Sequence, residues 1–88
     1  MAMNDLTMPG PIARAVARAT TEFLATQQVD LDRYEVIVST DASACEVVFL
    51  PAADPGASVR GGQTSAGREM HFWIALADGQ LLRSSLAR

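Results

Sequence analysis

The chain has 88 residues, of which 49% are hydrophobic and 19% are charged. This length allows one small domain, and the hydrophobic fraction is too high for a chain that stays unfolded. The formal net charge of −3 argues against partners such as nucleic acid or an anionic membrane surface, because both require a concentrated basic surface.

No segment predicts export or membrane insertion. The N-terminus lacks the basic start and the apolar run of a secretion signal, and no stretch is apolar for long enough to span a bilayer. Cys45 is the single cysteine, so the sequence provides no intrachain disulfide, as is usual in a reducing compartment. We therefore expect a cytoplasmic protein.

A helix is predicted from Pro11 to about Gln28, after a loose tail at residues 1–9. Proline suits the first turn of a helix, where its missing N–H would have no partner in any case. Apolar residues then recur three and four positions apart, at Ile12, Ala15, Val16, Ala19 and Phe23. This spacing indicates an amphipathic helix with one buried face.

Two strands and a long loop are predicted next. Apolar and polar residues alternate from Arg33 to Thr40, which favours a strand. A second strand is predicted from Cys45 to Leu50, and Pro51 closes it. Residues 51–67 are rich in glycine, proline and small side chains, which is typical of a loop, and loops of this length are often functional.

The dipeptide Asp78-Gly79 lies between two apolar arms and predicts a two-residue hairpin turn. Such a turn would place Leu76 opposite Leu81, Ile74 opposite Arg83 and Trp73 opposite Ser84. The predicted fold is a single α+β domain over residues 10–88, in the order helix, strand, strand, loop, strand, strand. An N-terminal amphipathic helix packs on one face of a three- to four-stranded antiparallel sheet.

Strand alternation divides the side chains of this sheet between two faces. The set assigned to the core beneath the helix is Tyr34, Val36, Val38, Val47, Phe49, Met70, Phe72, Ile74, Leu76 and Leu81. The opposite face holds Ile37, Val48, Trp73 and Leu82 together with acidic residues. Exposed apolar patches often mark interaction sites, so we expect contact with a protein partner or a second copy of the chain. The alternative is that loop 51–67 folds over this face.

Two side chains are candidates for chemistry. His71 is expected among Glu35, Glu46 and Glu69, where it could act as a general base. With no second histidine and no cysteine at ligand spacing, it makes a poor metal site. Cys45 could be a nucleophile with His71 as its base, although a free cysteine on a strand is more commonly a buried core residue.

The segment Arg60-Gly61-Gly62 is the most distinctive part of the loop. Its backbone N–H groups beside an arginine could cradle an anion, or the glycines could simply permit a tight turn. The sequence predicts no metal, no cofactor and no catalytic residue, and the preferred interpretation is a non-enzymatic binding protein. The alternative is a small ligand-binding protein or enzyme that uses His71 and Arg60.

The pattern from the helix through Tyr34-Glu35-Val36 to the closing segment from Trp73 to Leu82 resembles PepSY-like domains and the small immunity proteins of bacterial toxin systems. In those families a helix precedes a three-stranded sheet, and the last strand often ends in an Asp-Gly turn. Arg60-Gly61-Gly62 is similar to the Gly-Gly of the immunity group. The resemblance covers about residues 11–83 and implies binding or inhibition of a protein, such as toxin neutralisation, rather than catalysis.

Overall fold

The computed structural model describes residues 3–53, 63–64 and 66–86. Residues 3–9 have no helical or strand structure. The elements that follow are α1 (Gly10–Thr26), a short 3-10 helix (Leu31–Arg33), β1 (Tyr34–Thr40), β2 (Ala44–Pro51), β3 (Gln63–Thr64), β4 (Gly67–Arg68), β5 (Met70–Ala75) and β6 (Leu81–Leu86).

Helix α1 has the predicted buried face. It begins at Gly10, so that Pro11 lies in the first turn, and the N–H of Ala13 donates to the carbonyl of Pro9 at 3.0 Å. The fully buried side chains along it are Ala15, Ala19 and Phe23. Among the described residues, no helix combines the length and the apolar character needed to cross a bilayer.

Four strands form one antiparallel sheet in the order β1-β2-β5-β6, and α1 packs over β2 and β5 on one face of it. The predicted α+β architecture is therefore confirmed. Strands β2 and β5 are neighbours in the middle of the sheet. The long connection between them therefore joins two adjacent antiparallel strands.

The core is built around Phe23 from the helix. Its ring stacks on Phe49 at a centroid distance of 4.3 Å, and Phe72 and Tyr34 meet it edge-on. Edge-to-face and offset pairs of this kind stabilise a core beyond their buried area. The prediction for Val36 was wrong, since its side chain is 42% exposed. It lies on edge strand β1, and the close contacts of α1 with the sheet are with β2 and β5.

The predicted bounds of the long loop, residues 51–67, were wrong in part, because strand residues lie within them. Pro51 is the last residue of β2, and β3 pairs with β4 through Gln63 with Arg68 and Thr64 with Gly67. The Tyr34 hydroxyl donates to the carbonyl of Arg68 at 2.9 Å, which ties this small hairpin to β1. Strands of two residues are too short to leave an alternating pattern in the sequence.

The predicted two-residue turn at Asp78-Gly79 was also wrong. The loop has four residues, Leu76 to Gly79, because the N–H of Ala75 donates to the carbonyl of Gln80 and that of Gly79 donates to the carbonyl of Ala75, both at 2.9 Å. Gly79 closes the loop in the left-handed region at φ +75°.

The longer loop changes the register of the hairpin. Ile74 pairs with Leu81, and a bulge at Leu82 then brings Arg83, rather than Ser84, opposite Trp73. In the predicted register Arg83 would have faced Ile74, which is fully buried. Burying an unpaired guanidinium is costly, whereas the observed register packs the partly buried Leu81 against the core there instead.

Candidate functional site

Two rows of side chains cross the sheet on the side opposite α1, which we call the open face. The strand register places Ile37, Val48, His71 and Ser85 in one row, and Ser39, Glu46, Trp73 and Arg83 in the next. Phe72, the neighbour of Trp73, is buried in the core with Phe23. The alternation around Trp73 was therefore predicted correctly.

The predicted apolar patch is smaller than the sequence indicated. Val48 is only 8% exposed, so its inclusion as an exposed surface residue was wrong. It lies on central strand β2, flanked by the longer side chains of Ile37 and His71. Ile37 and Leu82 are about half exposed, and Leu82 sits at the bulge rather than in a regular cross-strand pair.

Trp73 is the centre of the open face. The guanidinium of Arg83 lies 3.9 Å from the centroid of its ring, and His71 stacks beside it at 5.8 Å. A cation over an indole ring is attracted by the negative charge density of the ring face. The ring of Trp73 is partly exposed, and the contacts with Arg83 and His71 favour its present orientation.

His71 is held between two carboxylates. Its Nδ1 lies 2.8 Å from Oε2 of Glu46, and its Nε2 lies 2.6 Å from Oε2 of Glu69. A neutral imidazole has one N–H and could donate to only one of them, whereas an imidazolium donates to both. Partial burial lowers the pKa of His71, but the hydrogen bonds and negative charges of Glu46 and Glu69 outweigh it, and the net pKa is raised.

This arrangement gives His71 little capacity for chemistry. Both ring nitrogens are engaged, so neither offers a lone pair to a substrate proton or to a metal ion. Within residues 3–53, 63–64 and 66–86, no group of three or more His, Cys, Asp or Glu side chains is arranged to hold a metal ion. The three side chains of the cluster bond one another instead of converging on a common point.

The suggested pair of Cys45 and His71 does not form. Cys45 lies opposite Ile74 and is fully buried in the core beneath α1, whereas His71 is on the open face. Burial raises the pKa of the Cys45 thiol, which disfavours the nucleophilic thiolate. The hypothesis of a Cys–His nucleophile was therefore wrong, and Cys45 is a core residue.

An open depression lies beside Trp73, at the end of the sheet where β1 turns into β2. Its lining residues are Ser39, Thr40, Asp41, Ala44, Glu46 and Trp73. The Asp41 carboxylate accepts the N–H groups of Ser43 and Ala44, both at 2.8 Å, and these bonds lower its pKa. This carboxylate fixes the turn, and His71 does not contribute to the lining.

The predicted site residues are thus only partly brought together. Ile37, Val48, His71 and Trp73 share the open face, and Leu82 lies at its border. Arg60, Gly61 and Gly62 lie outside the described residues, as does most of loop 51–67, so its suggested folding over the open face stays a prediction.

Arg83 is the residue of the site that the sequence interpretation missed. Its place beside Trp73 depends on the bulge at Leu82, and a bulge leaves no distinctive residue pattern. The resemblance to PepSY-like and immunity proteins stays a prediction. Comparison of the chain with protein-family models, with curated proteins and with solved structures gives no match.

Proposed function

We propose that this protein is a non-enzymatic cytoplasmic binding module whose open face contacts a protein partner around Trp73. The observation that carries the proposal is the partly exposed indole of Trp73, held between Arg83 and His71 on the sheet face opposite the helix. Tryptophan and arginine are the residues most often found at the energetic centres of protein interfaces.

Preorganisation supports this role. An exposed side chain loses rotamer entropy when it enters an interface, and that loss weakens binding. The contact with Arg83 favours one orientation of the Trp73 ring, and His71 is positioned in turn by Glu46 and Glu69. The partner would therefore meet a rigid aromatic surface, and less of the contact energy would be spent on ordering it.

The charges around Trp73 indicate the kind of partner. Glu35, Glu46 and Glu69 lie on or beside the open face, and the whole chain carries a net charge of −3. A partner with an apolar pocket surrounded by basic residues would fit both features and would associate faster through electrostatic attraction. An inhibitor or immunity-type role, such as neutralising a basic toxin, is the form of this function that the family resemblance implies.

The test compares Trp73→Ala with Leu24→Ala. Leu24 lies on α1, away from the open face, and is also partly exposed, so it controls for the loss of a large apolar side chain. Affinity capture from native cells with the wild-type chain supplies candidate partners, and titration calorimetry with each purified partner measures the affinity.

We expect Trp73→Ala to weaken binding about 30-fold or more, the loss that marks an interface centre, and Leu24→Ala to leave it unchanged. Circular dichroism confirms that both variants are folded. If a folded Trp73→Ala protein binds every purified partner as tightly as the wild type does, the open face is not the binding surface.

A further inference from the structure

Among residues 3–53, 63–64 and 66–86, strand β1 forms one edge of the sheet, and its outer backbone groups can be identified from the register. The carbonyl of Arg33 accepts from the N–H of Ala52, and the N–H of Asp41 donates to the carbonyl of Ala44. Hydrogen-bonded pairs alternate along an antiparallel ladder, so the odd-numbered residues of β1 bond to β2. Val36, Val38 and Thr40 therefore direct their N–H and C=O groups away from the sheet.

Edge strands of monomers usually carry features that prevent pairing with another chain, such as lysine, proline or a bulge. The opposite edge, β6, has a bulge at Leu82 and a charged residue at Arg83. Strand β1 has an unbroken register over seven residues and contains no lysine, proline or bulge. Glu35 is its single charged residue, and the strand exposes Val36 on one face and Ile37 on the other. The two edges of the sheet thus differ in regularity: a bulge interrupts β6, whereas β1 presents a regular edge to another strand.

We propose that β1 pairs antiparallel with β1 of a second copy, about a two-fold axis at Ile37, to form a continuous eight-stranded sheet. In this register Ile37 faces its own counterpart, and Val36 lies opposite Val38 of the second copy. These valines exchange their outward backbone hydrogen bonds, since residues of this parity face the free edge. The proposal rests on the geometry of the edge and is independent of any partner bound by Trp73.

Charge selects this register over its neighbours. With the axis at Ile37, Glu35 lies opposite Ser39 of the second copy. A shift of two residues toward the turn would place Glu35 opposite Asp41, and two like charges directly across a strand pair are destabilising. The opposite shift would pair Thr40 with Asp32, which belongs to the 3-10 helix and not to the strand.

The dimer has two consequences. Pairing uses the β1 edge of both copies and leaves the bulged β6 strands outermost. Among the described strands, no regular edge is then left for a third chain, so the assembly stops at a dimer. A two-fold axis normal to the sheet leaves both open faces on the same side. The two Trp73 side chains are then separated by five strand spacings, or about 24 Å across the strands, which suits a partner with two equivalent sites.

Sedimentation equilibrium of the full chain between about 1 μM and 1 mM tests the proposal. The surface area buried by one strand pair lies at the small end of the range for protein interfaces. We therefore expect a dimer with a Kd of micromolar order. Ile37→Lys places two ammonium groups opposite each other at the axis and should raise the Kd at least about ten-fold. Leu86→Lys makes the same change on the other edge strand, where the side chain is 44% exposed, and should leave the Kd unaltered.

Amide hydrogen exchange gives a second readout that needs no substitution. As the concentration rises through the Kd, the N–H groups of Val36, Val38 and Thr40 should exchange more slowly, whereas those of Glu35 and Ser39 should not change. A chain that stays monomeric at 1 mM overturns the proposal. A dimer that is lost in Trp73→Ala but kept in Ile37→Lys also overturns it, and would assign self-association to the open face.

Discussion

The guanidinium of Arg83 lies 3.9 Å from the centre of the Trp73 ring, although a regular hairpin would have turned these two side chains to opposite faces of the sheet. The bulge at Leu82 reverses the alternation of β6 at this point, so that Arg83 lies opposite Trp73 instead of Phe72. The open face therefore gains a cation that fixes its largest side chain.

Replacing Arg83 should loosen Trp73 without unfolding the protein. We expect Arg83→Ala to lower the unfolding free energy by about 0.5–1 kcal/mol, because the partly exposed cation–π contact is lost. Trp73 is the single tryptophan of the chain, so its emission maximum and acrylamide quenching report on this site alone. Emission should shift to longer wavelength and quenching should increase.

Arg83→Met is the matched control for this change. It keeps an unbranched stem over the ring but removes the charge. If the stem accounts for the contact, the methionine variant will behave as the wild type does; if the cation accounts for it, both variants will show the same red shift. An unchanged spectrum in Arg83→Ala would contradict the ring contact itself.

Much of this arrangement could be predicted from periodicity, but the position of Arg83 could not. The helix face through Ala15, Ala19 and Phe23 follows directly from their spacing, and alternation separates Phe72 from Trp73. A bulge, by contrast, forms when one of two possible registers buries more apolar side chains and keeps a charged side chain in water. The free-energy difference between the registers depends on contacts across the whole sheet, which the local sequence pattern does not contain.

Exposure was the other property that the sequence did not determine. Val36 and Val48 are the same residue type on neighbouring strands, yet the first is 42% and the second 8% exposed. Alternation assigns each to a face but does not say which strand lies at the edge of the sheet. Strand order comes from the return of β5 to the side of β2, which covers Val48 and leaves Val36 on an edge strand.

The carboxylates around His71 predict a specific dependence on pH. Because its pKa is raised in the folded protein, folding favours the protonated form. The stabilisation is fully present below the unfolded value of about 6.5 and is lost as the pH rises through the folded pKa. The unfolding free energy should therefore fall above about pH 6.5, and the same decline should be absent from His71→Gln.

Direct titration checks the same assignment. His71 is the single histidine, so one imidazole resonance in the proton NMR spectrum follows its ionisation. We expect a midpoint above 6.5, and a lower midpoint in Glu46→Gln, which removes the carboxylate at Nδ1. A midpoint at or below 6.5 in the wild type would mean that burial outweighs the two carboxylates.

The hairpin loop places Gly79 where a side chain is strained. Its φ of +75° lies in the left-handed region, and a Cβ added there would come within 3.1 Å of Nε of Arg14. Arg14 in turn donates to the carbonyl of Leu76 at 2.7 Å and ties the loop to the helix. We expect Gly79→Ala to lower the unfolding free energy by about 1–3 kcal/mol, as measured by urea denaturation.

Two further variants are controls for Gly79→Ala: one changes the residue introduced, and the other changes the position. Gly79→Asn should cost less than Gly79→Ala, because asparagine tolerates the left-handed region better. Gly10→Ala makes the same substitution at the start of α1, where no atom lies within 4 Å of the added Cβ, and should be neutral or stabilising. If Gly10→Ala and Gly79→Ala lower the unfolding free energy equally, the loss at position 79 does not come from its left-handed backbone conformation.

Substitution and thiol labelling distinguish a core role for Cys45 from a chemical one. Cys45 is fully buried among Phe49, Phe72 and Ile74 in the core cluster, so a replacement must match its apolar surroundings. Serine is the closer match in shape, but it would bury a hydroxyl at a cost of about 1–3 kcal/mol if that hydroxyl finds no partner. Alanine removes only one heavy atom from a packed site. We therefore expect Cys45→Ser to be less stable than Cys45→Ala in urea denaturation.

The native thiol should also react with Ellman's reagent only as fast as the domain opens, since the thiolate is disfavoured and inaccessible. Fast native labelling, or a serine variant as stable as the wild type, would show instead that the thiol reaches solvent or a polar partner.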